Sequence, residues 1–369
     1  MKRQILLLRG LAILAVVAHH AAAWGFVAMF WWTHRYTTTS VPDYSGMGSP
    51  AYWLLMVPNQ AALFSVPAFL FISGLSAAYS VGTGPLRGDW RIVRARLGAI
   101  IGPYLVWSLV MFAIDAALGV RLSPAEYLGR LLIGRAVDAY YFVPLLVQFY
   151  LVSPLVVRGV RSRPWAVLGV AAALQAACTL LPYLGFSTVT AAGTRVPLVV
   201  PAWLLVQWPV YYVLGTIVGA HPRQASRVLN RLRAPLIALT ATLGVLTLLE
   251  SEVLWRLTAD WDWAHGNQRL SSGLYALAFV LLATTWRIRP TSLTRAVGRA
   301  GALSYGIYLM HPKALELSAR AVYHLAPGLL SRQVPFVMLL FAVPLAGCWL
   351  AMTLMARSPA RRVYHVVFG

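Results

Sequence analysis

The chain has 369 residues, of which 59% are hydrophobic and only 11% charged, and its mean hydropathy is +0.69. A soluble domain carries roughly a quarter charged residues, so the composition excludes one and points to a polytopic membrane protein with no soluble segment long enough for a second domain. The net charge of +21 does not mark a nucleic-acid binder, because the basic residues fall in short clusters between apolar runs, as in cytoplasmic loops.

The first apolar run follows Lys2 and Arg3 as a signal peptide would. It is long and aromatic, however, and no clear small-residue cleavage site follows, so it reads as a retained first span over 10–32. Windows of about twenty apolar residues place further spans near 59–82, 97–119, 140–157, 165–184, 203–220, 234–250, 270–286, 303–325 and 334–356. The expected fold is therefore all-α, with about ten transmembrane helices in a single membrane-embedded domain, 1–369. Most of the 31 basic residues lie on one side of this scheme, in the clusters around Lys2–Arg9, Arg87–Arg96, Arg158–Arg163, Arg223–Arg233, Arg287–Arg299 and Arg357–Arg362. Of the ten acidic residues only Asp89 joins them. The positive-inside rule then puts both termini in the cytoplasm, and an even span count agrees. No internal repeat suggests an inverted-repeat transporter.

The first span holds the most informative pair. An ionisable residue inside a span is expensive and is a functional-site candidate by default. Arg9 and His20 are eleven helical residues apart, about three turns, so both side chains share one face at a separation of roughly 16 Å. A cation near the inner boundary below a base at mid-bilayer suits a long substrate with an anionic head and a reactive far end, the shape of acyl-coenzyme A. His20 is the candidate general base, since a neutral imidazole takes a hydroxyl proton at physiological pH. The plainer readings are an interhelical hydrogen-bonded histidine and, for Arg9, a topological charge. His19 points about 100° away and reads as a packing residue.

Two long outer loops, roughly 33–58 and 251–269, are rich in aromatic and acidic residues: Trp31, Trp32, Tyr36, Asp43, Tyr44 and Tyr52 in the first, Trp255, Asp260, Trp261, Asp262, Trp263, His265 and Asn267 in the second. An interfacial aromatic belt is the plainer reading, and a carbohydrate platform is its rival. Arg94 and Arg96 are the next candidates for phosphate recognition through paired hydrogen bonds, against a purely topogenic reading, which Arg87 and Arg91 fit better. Ser73-Gly74 closes an apolar run; Gly permits close helix approach and Ser73 carries a donor. Ser304, Tyr308 and His311 are spaced by four and three and share a helix face. With Tyr305 they form a cluster that could orient a thioester, assist proton transfer, or simply tie helices together. Pro312 frees a backbone carbonyl nearby. Asp115, Gln148 and Glu316 are polar residues in or near spans with no individual role read for them. Cys178 and Cys348 read as packing residues. No His, Asp and Glu group has ligand spacing, so no metal is expected. Neither a Gly-x-Ser-x-Gly elbow nor a Ser-His-Asp order is present, which argues against a covalent serine nucleophile.

These segments carry a resemblance. Arg9-Gly10-Leu11-Ala12 with His19-His20, Phe69-LFISG-Leu75, Arg94-Ala95-Arg96 through Pro103-Tyr104 to Ser108, Tyr140-Tyr141-Phe142 through Tyr150 to Pro154, and Ser304-Tyr305 through Tyr308 to His311-Pro312 follow in the order seen in the family-three membrane acyltransferases. The resemblance covers most of the chain and is weakest between about 185 and 300. It implies transfer of an acyl group, often acetyl, from cytoplasmic acyl-CoA to a hydroxyl of a cell-surface or lipid-linked carbohydrate, in the plasma membrane. The expected site comprises His20, Arg9, His311 and Tyr308 for catalysis and Arg94, Arg96, Arg9, Tyr305 and Ser73 for the donor. Many members carry an esterase-like domain after the spans; this sequence ends at Gly369 and resembles the stand-alone type. Relatives commonly show a His-Leu-Trp-Phe-like stretch where this chain has Ala139-Tyr140-Tyr141-Phe142, so the fourth span is not expected to supply the base. A glycan or lipid-linked saccharide exporter is the competing function. The acyl chain, the acceptor and the oligomeric state are not legible.

Overall fold

The computed structural model describes residues 2–32, 41–82, 86–185, 187–189 and 195–369. Tyr36 lies outside them, as do the side chains of Lys2 and Arg87. In chain order the helices are α1 (Lys2–Phe30), α2 (Pro50–Ala61), α3 (Ser65–Ser80), α4 (Leu86–Ala117), α5 (Pro124–Ile133), α6 (Phe142–Ser162), α7 (Pro164–Leu180) and α8 (Pro209–Ala220). They continue with α9 (Pro222–Arg231), α10 (Arg233–Thr258), α11 (Trp261–His265), α12 (Leu270–Ala283), α13 (Ser292–Ala302), α14 (Ser304–Leu325), α15 (Gln333–Arg357) and α16 (Tyr364–Phe368). The all-α expectation needs one amendment: β1 (Ser187–Val189) and β2 (Arg195–Pro197) pair antiparallel between α7 and α8, Thr188 opposite Val196.

Every predicted span falls on a helix. Among the described residues, six segments are long and apolar enough to cross a membrane: Arg3–Phe30, Pro50–Ser80, Gly88–Ala117, Asp138–Ser162, Arg233–Thr258 and Gln333–Arg357. The other predicted spans fall short for physical reasons. The helix of α8 has 12 residues and that of α12 has 14, less than the roughly 20 a bilayer core needs, and α14 carries Lys313, Glu316 and Arg320.

The bundle is organised by backbone contact at glycines. A Cβ on Gly74 would stand 2.0 Å from the Tyr212 carbonyl oxygen, and one on Gly215 would stand 2.0 Å from that of Phe71, so α3 and α8 touch reciprocally. The same device joins α1 to α13, where a Cβ on Gly10 would stand 2.0 Å from the Val297 oxygen and one on Gly301 would stand 2.5 Å from that of Leu6. Helices without a solvophobic drive between them associate through such small-residue packing. α1 is the hub, packing on α2, α3, α13, α14 and α15.

The fourth predicted span, 140–157, falls on α6, which runs on to Ser162, and a separate element precedes it. After α4, the chain folds back along it through α5, which opens with a Ser123–Glu126 capping box and closes on Gly134 at φ +72°. The Tyr104 hydroxyl donates to the Leu131 carbonyl at 2.5 Å. The returning segment enters a 3-10 turn, Asp138–Tyr141, held against α14: Tyr308 donates to the Ala139 carbonyl at 2.7 Å, and the Tyr140 hydroxyl donates to that of Leu309. Thus the turn that leads into α6 is fixed against the second turn of α14. Non-helical backbone inside a bundle persists where protein surrounds it or where it lines a cavity, and Ala139, Tyr141 and Phe142 line one.

Candidate active site

A cavity of about 620 Å³ lies inside the bundle, within the size of small-molecule sites. At one end it is bounded by Arg9, Arg96, Ser304 and Tyr305, at its middle by His19, His20, Tyr308 and Phe142, and at the other end by Gly266 and Asn267 of the loop between α11 and α12. The walls between are apolar, from Val16, Val66, Phe69 and Leu146.

At the basic end, Arg9 Nε donates to Ser304 Oγ at 2.7 Å. The close α1–α13 crossing makes this possible, because α14 begins immediately after α13. Arg96 Nη2 donates to the Ser76 carbonyl at 2.9 Å and to Ser80 Oγ at 2.7 Å, and its guanidinium stands 5.5 Å from the centre of the Tyr150 ring. Neither arginine is in an ion pair among the described residues. Two guanidinium groups thus line one end of the cavity with no carboxylate among its described lining residues. Ser73 lines the same end.

Arg94 is not part of it. It is exposed and off the cavity, and the reason is helical geometry: two residues rotate the side chain by about 200°, so Arg94 and Arg96 leave α4 on opposite faces.

At the centre, the ring of His20 stands 5.3 Å from that of His311 and 5.5 Å from that of His19. His20 lines the cavity; His311 is 0% exposed and sits behind it. His19 also reaches the cavity wall, its Nδ1 3.4 Å from the Asn59 carbonyl. Tyr308 reaches the cavity with its hydroxyl committed to Ala139, and Tyr305 donates to the Ile100 carbonyl at 2.5 Å. Both tyrosines therefore brace the wall and present ring faces.

The end away from the arginines is held by a buried polar network. Arg269, 0% exposed, donates to the carbonyls of Gly266 at 3.0 Å and Thr247 at 2.9 Å, to Gln60 Oε1, and to Glu250 at 3.4 Å. Glu250 also accepts from Tyr183 at 2.6 Å. A fully buried charge persists only when paired and hydrogen-bonded, and this one fixes the Gly266–Asn267 turn over the cavity. Next to it His265 stacks on Trp261 at 3.8 Å. Burial, with the positive Arg269 nearby, pushes the His265 imidazole down to about 4. Trp261 packs edge-on against Phe26, Phe30 and Trp255, and Tyr44 joins them edge-on through Phe30 and Trp255, while Trp31 and Trp53 remain exposed.

Several lining residues had no separate reading from sequence. Tyr150 and Tyr141 sit in a quoted motif without an assigned role. Gly266 and Asn267 lie in the stretch where no motif was found; Arg269, a lone cation at the start of an apolar run, was the available signal. Lys313, also unread, is almost buried and bonds Asp115 at 2.7 Å and Glu316 at 2.6 Å, giving those two carboxylates a shared partner. The last turn of the chain was not anticipated either: Tyr364, Phe368 and Gly369 close the basic end. Cys178 and Cys348 are free thiols.

A bundle of apolar helices thus encloses one cavity lined by Arg9 and Arg96 and by His19 and His20, with neither arginine in an ion pair among the described residues. The chain belongs to acyltransferase family 3: the family model described as an acyltransferase domain matches residues 3–353, which includes all of the cavity except its α16 wall. It is a multi-pass membrane acyltransferase. No curated protein and no solved structure matches the chain.

Proposed function

We propose that this protein moves an acyl group, acetyl in the simplest case, from acyl-CoA to a hydroxyl of a cell-surface or lipid-linked carbohydrate. The observation that carries the reading is that Arg9 and His20 open into one cavity from one face of α1. Phosphates of the donor sit against Arg9 and Arg96, and the pantetheine arm follows the apolar wall toward His20. The acceptor hydroxyl arrives past Gly266 and Asn267. His20 accepts the hydroxyl proton as the oxygen attacks the thioester carbonyl; the carbon–sulfur bond breaks, and the departing thiolate recovers that proton. The positive-inside charge pattern supports a cytoplasmic basic end and cytoplasmic termini in a plasma-membrane protein.

The test is acyl transfer by purified protein in nanodiscs, with labelled acetyl-CoA and a saccharide pool. Label on sugar with the wild type and not with His20→Ala supports both the reaction and its base. Retained turnover in His20→Ala removes His20 as base. Bound donor without transfer to any saccharide argues for a different acceptor class, and absence of donor binding favours an exporter.

A further inference from the structure

We infer that Pro312 fixes the tautomer of His311, and that His311 is the second member of a two-histidine proton relay with His20. In a regular helix the N–H of residue 312 would bond the carbonyl of Tyr308, four residues back. Proline has no N–H, so that carbonyl is released inside α14. The His311 ring takes it: Nδ1 lies 2.7 Å from the Tyr308 oxygen and 3.2 Å from that of Ile307. A carbonyl oxygen only accepts, so Nδ1 carries the hydrogen, and in the neutral ring the lone pair is on Nε2. That Nε2 is fully buried and has no hydrogen-bond partner among the described residues. A buried acceptor left empty is uncommon and calls for a role. The adjacent polar ring is His20, 5.3 Å away and facing the cavity. Neighbouring Tyr308 is itself pinned to Ala139, which holds this part of α14 in place.

The relay rests on the acyl transfer proposed above; the tautomer does not. His20 takes the acceptor's proton on one ring nitrogen and passes the proton of its other nitrogen to Nε2 of His311. His311 becomes imidazolium while its Nδ1–H stays on the Tyr308 carbonyl. The reverse transfer returns the proton through His20 to the thiolate, so no net charge is left in the bundle. His311 touches no substrate in this scheme and acts as a positioning and relay residue.

The experiment is nitrogen-15 spectroscopy of histidine-labelled full-length protein in nanodiscs, with the His311 signals assigned by their loss in His311→Gln. The expected wild-type signature is a protonated Nδ1 and an unprotonated Nε2, the opposite of the tautomer that neutral histidine favours in water. Pro312→Ala restores a competing N–H at the Tyr308 carbonyl and is expected to mix the tautomers. A wild-type His311 with Nε2 protonated overturns the inference, and so does an unmixed tautomer in folded Pro312→Ala. The wild-type spectrum decides even where the variant does not fold. With transfer measured in parallel, His311→Gln is expected to lower kcat about 100-fold with the donor KM unchanged, whereas a KM change at constant kcat overturns the relay. No turnover by the wild type sinks the acyl-transfer reading and leaves the tautomer result standing.

Discussion

The indole of Trp107 donates its Nε1 hydrogen to the carbonyl of Val367 at 2.9 Å, tying the last short helix to the middle of α4. Through this bond Phe368 is held 5% exposed and Gly369 lies against the ring of Tyr305, so the wall of the basic end depends on six residues, 364–369. Removing them is expected to leave the bundle folded and to weaken donor binding about tenfold, the equivalent of about 1.4 kcal/mol of lost contact. Equilibrium binding of labelled acyl-CoA to the shortened protein measures this; unchanged affinity would show that the wall does not touch the donor.

Arg96 and Arg94 provide an internal control. Arg96→Ala removes a cation from the cavity and is expected to lower donor affinity at least tenfold, given charge-assisted bonds of about 1.5–3 kcal/mol. Arg94→Ala, on the opposite face of α4, is expected to stay within twofold of wild type. Equal losses in the two variants would return both arginines to a topological role.

Arg9 has a more specific expectation, since its Nε is committed to Ser304. Arg9→Lys keeps the charge and loses the planar fork. Donor binding is expected to fall in Arg9→Lys nearly as far as in Arg9→Ala. Full rescue by lysine would mean that charge alone matters there.

The α3–α8 crossing leaves no room for a side chain. Gly74→Ala forces the two backbones apart and is expected to cost about 1–3 kcal/mol, seen as a lower Tm of the purified protein in detergent. Gly102→Ala, where nothing lies within 4 Å of the added carbon, is the matched variant expected to leave Tm unchanged.

His265 gives a pH dependence. Its folded-state value of about 4 lies below the usual 6.5 because burial and Arg269 disfavour the cation. Between these values the unfolded chain binds the extra proton, so stability rises with pH across that window and is lost as pH falls from about 6.5 toward 4. The loss attributable to this residue is at most about 3 kcal/mol. Thermal melts at pH 7 and pH 4.5 are expected to differ less for His265→Gln than for wild type. An identical pH response in both proteins would remove His265 as the cause.

Helical periodicity made Arg9, His20 and the Ser304–Tyr308–His311 face legible, because a residue spacing on a long apolar helix translates directly into a shared direction. The same rule, applied to Arg94 and Arg96, already separates them. The fold-back of α5 was not legible in the sequence: none of its residues is buried, and what holds it against the bundle is long-range, the Tyr104 hydroxyl on the Leu131 carbonyl and the Tyr127 ring on Phe112. Nor was the α16 wall, since five helical residues after a basic cluster carry no periodic signal. Of the short spans, α12 and α14 read as full crossings because hydropathy windows average over residues that the structure assigns to turns or ion pairs.

Arg9 meets Ser304 across 295 positions of sequence, so this bond cannot form until the chain has been made past α13. The first span enters the membrane with its cation unpartnered and keeps Gly10 open until α13 arrives from the last third of the chain. A chain halted before that point contains Arg9, His20 and Arg96 but lacks Ser304 and the α13 backbone on which Gly10 packs. This end of the cavity is therefore completed by the last third of the sequence, however early its arginine is made.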